Sequence, residues 1–117
     1  MSMKVESIRV FVPSKNYEES QSFYQAMGFQ MGQVSEDLSI FESGDCAFFL
    51  QRFYNKEFAN NLMLQLAVKD IHETFELLSS MKGFNIKFEP IKKEPWGQVV
   101  YLWGPSGELW HITEFTH

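Results

Sequence analysis

Few side chains in this sequence could do chemistry, and they are thinly spread. Histidine is the residue whose charge changes near neutrality, and the chain has three: His72, His111 and His117. His111 stands in an apolar, strand-like stretch. There it could serve a ligand as general base or hydrogen-bond donor, or be a half-buried strand histidine satisfied by a neighbour. His72 falls in the first turn of a helix, where the helix dipole disfavours its charged form, and it reads as a surface residue. His117 is terminal and uninformative. The single cysteine, Cys46, leaves no partner for an intrachain disulfide or a cysteine-based metal cluster. With no His or cation beside it, Cys46 reads as an inert thiol in the turn before an apolar strand. Spacing alone assembles no Ser/His/Asp set, and no glycine loop of the phosphate-cradling type is present.

The elements that must position these residues belong to one modest domain. At 117 residues, the chain suits a single core of ordinary size, spanning residues 1–117. Hydrophobic residues are 44% of the total and charged residues 21%, enough apolar surface to offset the entropy of ordering the chain. A net charge of −5 has the wrong sign for phosphate neutralisation, so nucleic acid is not expected as a partner. No apolar run approaches the ~18–20 residues that cross a bilayer, and Lys4 and Glu6 interrupt the N-terminus where a signal peptide is apolar. A cytoplasmic protein without a membrane partner is the expectation.

The two halves echo each other at an offset of about 55 residues. In the first, apolar Ile8–Val12 leads through Asn16-Tyr-Glu-Glu into a helical run and Met27-Gly28-Phe29. In the second, Leu62–Val68 leads through Asp70-Ile-His-Glu into a helical run and Lys82-Gly83-Phe84. Asn16 and Asp70 are N-caps with Glu19 and Glu73 three positions on, close to a capping box. Phe23, Tyr24 and Met27, and then Ile71, Phe75, Leu78 and Met81, recur at three- and four-residue intervals as apolar stripes that read as core. Gly28 and Gly83 suit the left-handed position that ends a helix. Strand-like sequence follows each helix: Gln30–Val34, Leu38–Ser43 and Ala47–Phe53, then Asn85–Phe88, Gln98–Trp103 and Glu108–Phe115. The order is βαβββ twice, an α+β pattern of two modules, about 1–57 and about 58–117, with no linker between them.

These residues resemble the vicinal oxygen chelate superfamily, which includes glyoxalase I, bleomycin- and fosfomycin-resistance proteins and extradiol dioxygenases. The marks are Val10-Phe-Val-Pro-Ser-Lys-Asn-Tyr-Glu-Glu-Ser-Gln-Ser-Phe-Tyr24 with Gly28-Phe29, and Pro95-Trp-Gly97 followed by Gly104-Pro-Ser-Gly-Glu-Leu-Trp110. Gly104 stands where the family's closing hairpin carries Asp. The resemblance covers nearly the whole chain. It implies two tandem βαβββ modules forming a curved, cup-shaped mixed sheet, in a homodimer with the ligand inside the cup.

Because strand side chains alternate, the more uniformly apolar side should face the helices and the other should line the cup. Ile8, Val10 and Val12, and Leu62, Leu64, Leu66 and Val68, are the packed sets. Ser7, Arg9 and Phe11, Phe49, Gln51 and Phe53, Met63, Gln65 and Ala67, and Leu109, His111 and Thr113 are left for the cup. Val99, Tyr101 and Trp103 join them with less support from the pattern. Metal-dependent relatives place His or Gln, Glu, His and Glu at four inward positions, which here hold Ser7, Gln51, Met63 and His111. That set lacks a carboxylate and includes a thioether, a poor shell for a divalent ion. A shift of the first strand by two residues offers Arg9 instead, which never ligates. No metal and no other cofactor is expected.

The remaining candidates are ligand contacts. Arg9 in such a cup calls for an anion, a carboxylate or phosphate of the ligand, unless it pairs with Glu114 or Glu42 or lies exposed at a dimer edge. Gln51 and Gln65 suit the orientation of a polar ligand, or are solvated at the cup mouth. Phe11, Phe49, Phe53, Tyr101 and Trp103 offer flat surfaces for a planar ligand, or belong to core or dimer interface. Trp96, in the loop Lys92-Lys-Glu-Pro-Trp-Gly97, is either a lid over the pocket or a packing anchor across the dimer. The expectation is a protein that binds a small aromatic or anionic molecule in a metal-free cup, as in antibiotic or toxin sequestration. Two alternatives stay open: a lyase or isomerase using His111 as acid/base with Arg9 stabilising an enolate-like oxygen, and a structural or regulatory dimer with a vestigial cup.

Overall fold

The computed structural model describes residues 1–116; His117 lies outside the described residues. The first module comprises β1 (Phe11–Pro13), α1 (Tyr17–Ala26), β2 (Gln30–Ser35), β3 (Leu38–Ser43) and β4 (Cys46–Gln51). A short helix α2 (Lys56–Asn61) leads to the second: β5 (Met63–Ala67), α3 (Ile71–Ser80), β6 (Lys87–Phe88), β7 (Lys92–Glu94), β8 (Gly97–Trp103) and β9 (Leu109–Phe115). The fold class is α+β, two tandem modules with mixed sheets: the first is βαβββ, and the second follows the same order with two short strands, β6 and β7, both paired with β8. The first sheet runs β1-β4-β3-β2 and the second β5-β9-β8-β6, with β7 also on β8. In both, the first strand lies parallel to the last and the other neighbours are antiparallel.

Local chemistry sets the helix starts. The Asn16 side chain accepts from the Glu19 N–H at 3.0 Å, and Asp70 accepts from the N–H groups of His72 and Glu73. Glu19 does not complete a capping box: its carboxylate takes the Asn85 N–H of the other module at 2.7 Å. Gly28 and Gly83 follow the helices at φ of +110° and +84°, conformations a side chain would strain.

The core lies between the modules. Tyr24 on α1 touches Phe41 and Phe48 of its own module and Trp110 of the other, with ring centroids 5.0–5.8 Å apart. Val12, Leu50, Val100, Leu102 and Ile112 are fully buried around them, with Ile71 and Leu78 from α3. Each aromatic contact of this kind adds about 0.5–1.5 kcal/mol beyond its buried area. Since the helix-facing sides of both sheets fill this shared interior, their opposite faces point away from it.

Several elements differ from the sequence reading. The first strand begins at Phe11, and Ile8 is 93% exposed instead of packed. The parallel register Phe11↔Phe49 would set Ile8 opposite Cys46, at the end of β4, where no core remains to receive it. Helix α2 escapes periodicity because it buries only Ala59; its signal is Asn55, whose side chain accepts from the Phe58 N–H at 2.9 Å. Lys92–Glu94 is a strand, not a loop. Its three charged residues carry no apolar alternation, and only pairing with β8 defines it. Cys46 is the exposed first residue of β4.

Candidate functional site

The alternation of side chains places the candidate residues in two sets. On the second sheet, register aligns Gln65, His111 and Tyr101 in one row, and Met63, Leu109 and Trp103 in the next. Val99, Thr113 and Ala67 form a third row. His111 packs edge-on against Tyr101, with ring centroids 4.9 Å apart and planes at 79°. Its Nε2 is buried and has no hydrogen-bond partner. A buried nitrogen left unpaired costs about 1–3 kcal/mol. Gln65 and Met63 are exposed beside it, since β5 is the sheet edge.

Lys87 was not evident from sequence as part of this face. It lies opposite Trp103 on β6, with its Nζ 4.9 Å from the indole centroid. Its two-residue strand gives too little alternation to assign a side, and only the pairing with β8 reveals the contact. Trp96 sits in the turn between β7 and β8, half exposed, its carbonyl accepting the Thr116 N–H.

The first sheet carries the other set. Phe11 and Phe49 are cross-strand partners stacked 4.8 Å apart, and the Arg9 guanidinium lies 5.9 Å from the Phe49 ring. Arg9 forms no ion pair with Glu42 or Glu114; Glu114 instead accepts the Ile71 N–H on the core side. Gln51 is half-buried at the end of β4 and its backbone carbonyl accepts from Ser14. Phe53 follows the strand and is half exposed. Arg9 of the first set and Gln65 of the second line a groove of about 630 Å³ between the first module and β5, together with Phe48, Leu64, Leu66 and Trp110; His111, Tyr101, Phe11 and Phe49 are not part of it.

Behind this groove the closing hairpin is anchored by a buried acid. Glu108 is fully buried, its carboxylate accepting from Tyr24 Oη at 2.5 Å and from the Ser106 N–H at 2.9 Å. Tyr24 Oη in turn accepts from Trp110 Nε1 at 2.9 Å. Burial pushes the Glu108 carboxyl above its ordinary range, against the Tyr24 and backbone hydrogen bonds that favour the ionised form. Burial, and then the charge of Glu108, raise Tyr24 well above the usual phenol value. Gly104 leaves room for this carboxylate: a Cβ there would stand 2.6 Å from Glu108 Cδ. Glu108 is invisible to sequence reasoning, because a glutamate in a turn ordinarily faces water.

The four positions at which metal-dependent relatives carry ligands do not make a metal shell. Ser7 is exposed and outside any strand, Gln51 belongs to one sheet, and Met63 and His111 to the other. Among the described residues no three His, Cys, Asp or Glu side chains gather as a metal site. One imidazole, an amide, a thioether and a hydroxyl, with no carboxylate to balance charge, do not fit a divalent ion.

With these modules and faces in place, the fold is that of bleomycin-binding and glyoxalase/bleomycin resistance/dioxygenase proteins of solved structure. Solved structures that share it include the bleomycin-binding protein of bleomycin-producing Streptomyces verticillus complexed with copper(II)-bleomycin. That structure is 17% identical with a TM-score of 0.81, over 98% of this chain and 100% of that one. TnmS3, an antibiotic binding protein from Streptomyces sp. CB03234, is 18% identical with a TM-score of 0.81, over 98% and 100%. A glyoxalase/bleomycin resistance protein/dioxygenase from Nocardioides is 18% identical with a TM-score of 0.74, over 99% and 87%. No protein-family model matches the sequence, and no curated protein matches it.

Proposed function

We propose that this chain binds a small aromatic or anionic molecule, without a metal, on the sheet face centred on His111, in the manner of an antibiotic- or toxin-sequestering protein. The observation that carries this reading is the buried, unpartnered Nε2 of His111 beside Tyr101. A ligand donor or acceptor would satisfy that nitrogen while its ring lies on Tyr101 and Trp103, and Gln65 would orient a second polar group. An anionic group on the ligand would find two cations outside any ion pair among the described residues, Lys87 over Trp103 and Arg9 over Phe49. Structural neighbours that bind bleomycin or another antibiotic support sequestration as the role.

The second reading, a lyase or isomerase with His111 as acid/base, draws on the same free nitrogen but lacks a second group placed to share the proton transfer. A homodimer suits the exposure of Ile8, Phe11 and Met63, apolar side chains that a partner would cover. Among the described residues no helix is long and apolar enough to cross a membrane.

The test is a calorimetric and thermal-shift titration with metal-free bleomycin, copper(II)-bleomycin and a series of aromatic carboxylates. At least one should bind with saturation and raise the midpoint by mass action. Truncation of His111 to alanine should weaken that ligand about tenfold or more, the cost of one lost buried hydrogen bond and its packing. Saturable binding that is indifferent to His111, Tyr101 and Trp103 would refute this placement.

A further inference from the structure

The closing hairpin holds a buried acid with no counter-charge. Glu108 is fully buried, and among the described residues no cation pairs with it. Its two carboxylate oxygens meet donors, Tyr24 Oη of α1 on one and the Ser106 N–H on the other. Tyr24, whose oxygen also takes the Trp110 indole N–H, is the one titratable side chain hydrogen-bonded to it among the described residues. The neighbouring segments bring no charge to the carboxylate. From α2 the Asn60 amide stands beside Gly107. Lys15, ahead of α1, gives its backbone N–H to Ser106 Oγ at 2.6 Å, and its ammonium lies 6.0 Å from the Tyr54 ring centroid. The hairpin joins Trp103 of β8 to Leu109 of β9, cross-strand partners in the row that sets Lys87 over Trp103.

We propose that Glu108 is a proton-held latch between the modules. Protonated, it keeps the hairpin closed on α1; ionised, it drives residues 104–108 to open locally and loosens the Trp103–Leu109 end of the proposed ligand face. The effect on a ligand rests on the placement of that face on the second sheet, whereas the latch itself does not. A carboxylate buried without a cation loses its hydration, and two hydrogen bonds return only part of what water gave. Burial accordingly holds this carboxyl above its ordinary range. In the open hairpin the group is hydrated and returns to its ordinary value. Between the two values each unit of rising pH therefore favours the open form by up to about tenfold. Opening can stay local, because among the described residues two hydrogen bonds tie residues 104–108 to the first module, Tyr24 to Glu108 and Lys15 to Ser106.

Amide hydrogen exchange followed by NMR tests this on the unaltered chain and on Glu108→Gln, a neutral side chain of nearly the same shape. Comparing the two at matched pH cancels the chemical dependence of exchange on pH. Between about pH 5 and about pH 8 the exchange of the Gly104, Ser106 and Leu109 amides, relative to Glu108→Gln, should rise about fivefold or more. In the unaltered chain these amides should also exchange ahead of those of β3 and β4 at every pH, the mark of a local opening. A ratio that stays level with pH, or hairpin amides that exchange only together with β3 and β4, overturns the latch. A second measurement needs no variant. The Glu108 carboxyl carbon, followed by NMR in the unaltered chain, should titrate above the ordinary carboxylate range, and titration at the ordinary value overturns the proposal even if Glu108→Gln folds poorly. The link to the ligand face is overturned if the Trp103 and Leu109 amides do not follow that titration. No ligand enters these measurements, so a wrong placement of the ligand on the second sheet would leave their outcome unchanged.

Discussion

Replacing Tyr24 with phenylalanine removes one oxygen from the centre of the molecule and strands two buried partners. Glu108 loses its donor at 2.5 Å and Trp110 Nε1 loses its acceptor at 2.9 Å. Each buried group left without a partner costs about 1–3 kcal/mol, more when charged, so a loss of about 4 kcal/mol is expected near pH 7. At this chain length that corresponds to a melting point lower by about 15 °C. The pH dependence has a definite sign. Burial holds the Glu108 carboxyl above its ordinary value, so between that value and the raised one the folded chain keeps a proton the unfolded chain has lost, and stability falls as pH rises through the window. The Tyr24 hydroxyl opposes the rise by favouring the carboxylate. Its removal lifts Glu108 further and enlarges the penalty at neutral pH, while near pH 4 the acid form needs that donor less, and the loss should shrink to about 2 kcal/mol. Urea denaturation of both chains at pH 4 and pH 7 measures this directly. A loss below about 1 kcal/mol at pH 7, or equal losses at the two pH values, would refute the reasoning.

Other substitutions probe the same framework. Glu108→Gln removes the titration at that site, and its stability should vary less between pH 4 and pH 7 than that of the unaltered chain, as read by the same urea curves. Gly97→Ala would set a Cβ 2.2 Å from the Glu114 carbonyl oxygen. Because backbone and not a flexible tip stands in the way, a loss of about 3 kcal/mol or more is expected by thermal unfolding. Asn16→Ala removes the side-chain acceptor of the Glu19 N–H and should cost about 1 kcal/mol, read by the same urea curves.

Much of this protein is written in local sequence. The caps Asn16 and Asp70, the stripes through Phe23, Tyr24, Ile71 and Leu78, and the doubled βαβββ order follow from period and capping, which act over a few residues. Alternation also groups Gln65, His111 and Tyr101, which register sets in one row, whereas Val99 and Thr113, assigned by it to the cup, are buried. Tertiary structure decided the rest. The end of the first sheet left Ile8 in solvent despite its apolar neighbours, and pairing with β8 made a strand of Lys92–Glu94 and set Lys87 over Trp103. It also enclosed Glu108, because two modules that share one interior can bury a polar group of one against a donor of the other. Short-range pattern fixes which way a side chain points along its own strand. What stands opposite it depends on segments tens of residues away, and that is why the unpartnered nitrogen of His111 emerged only from the folded chain.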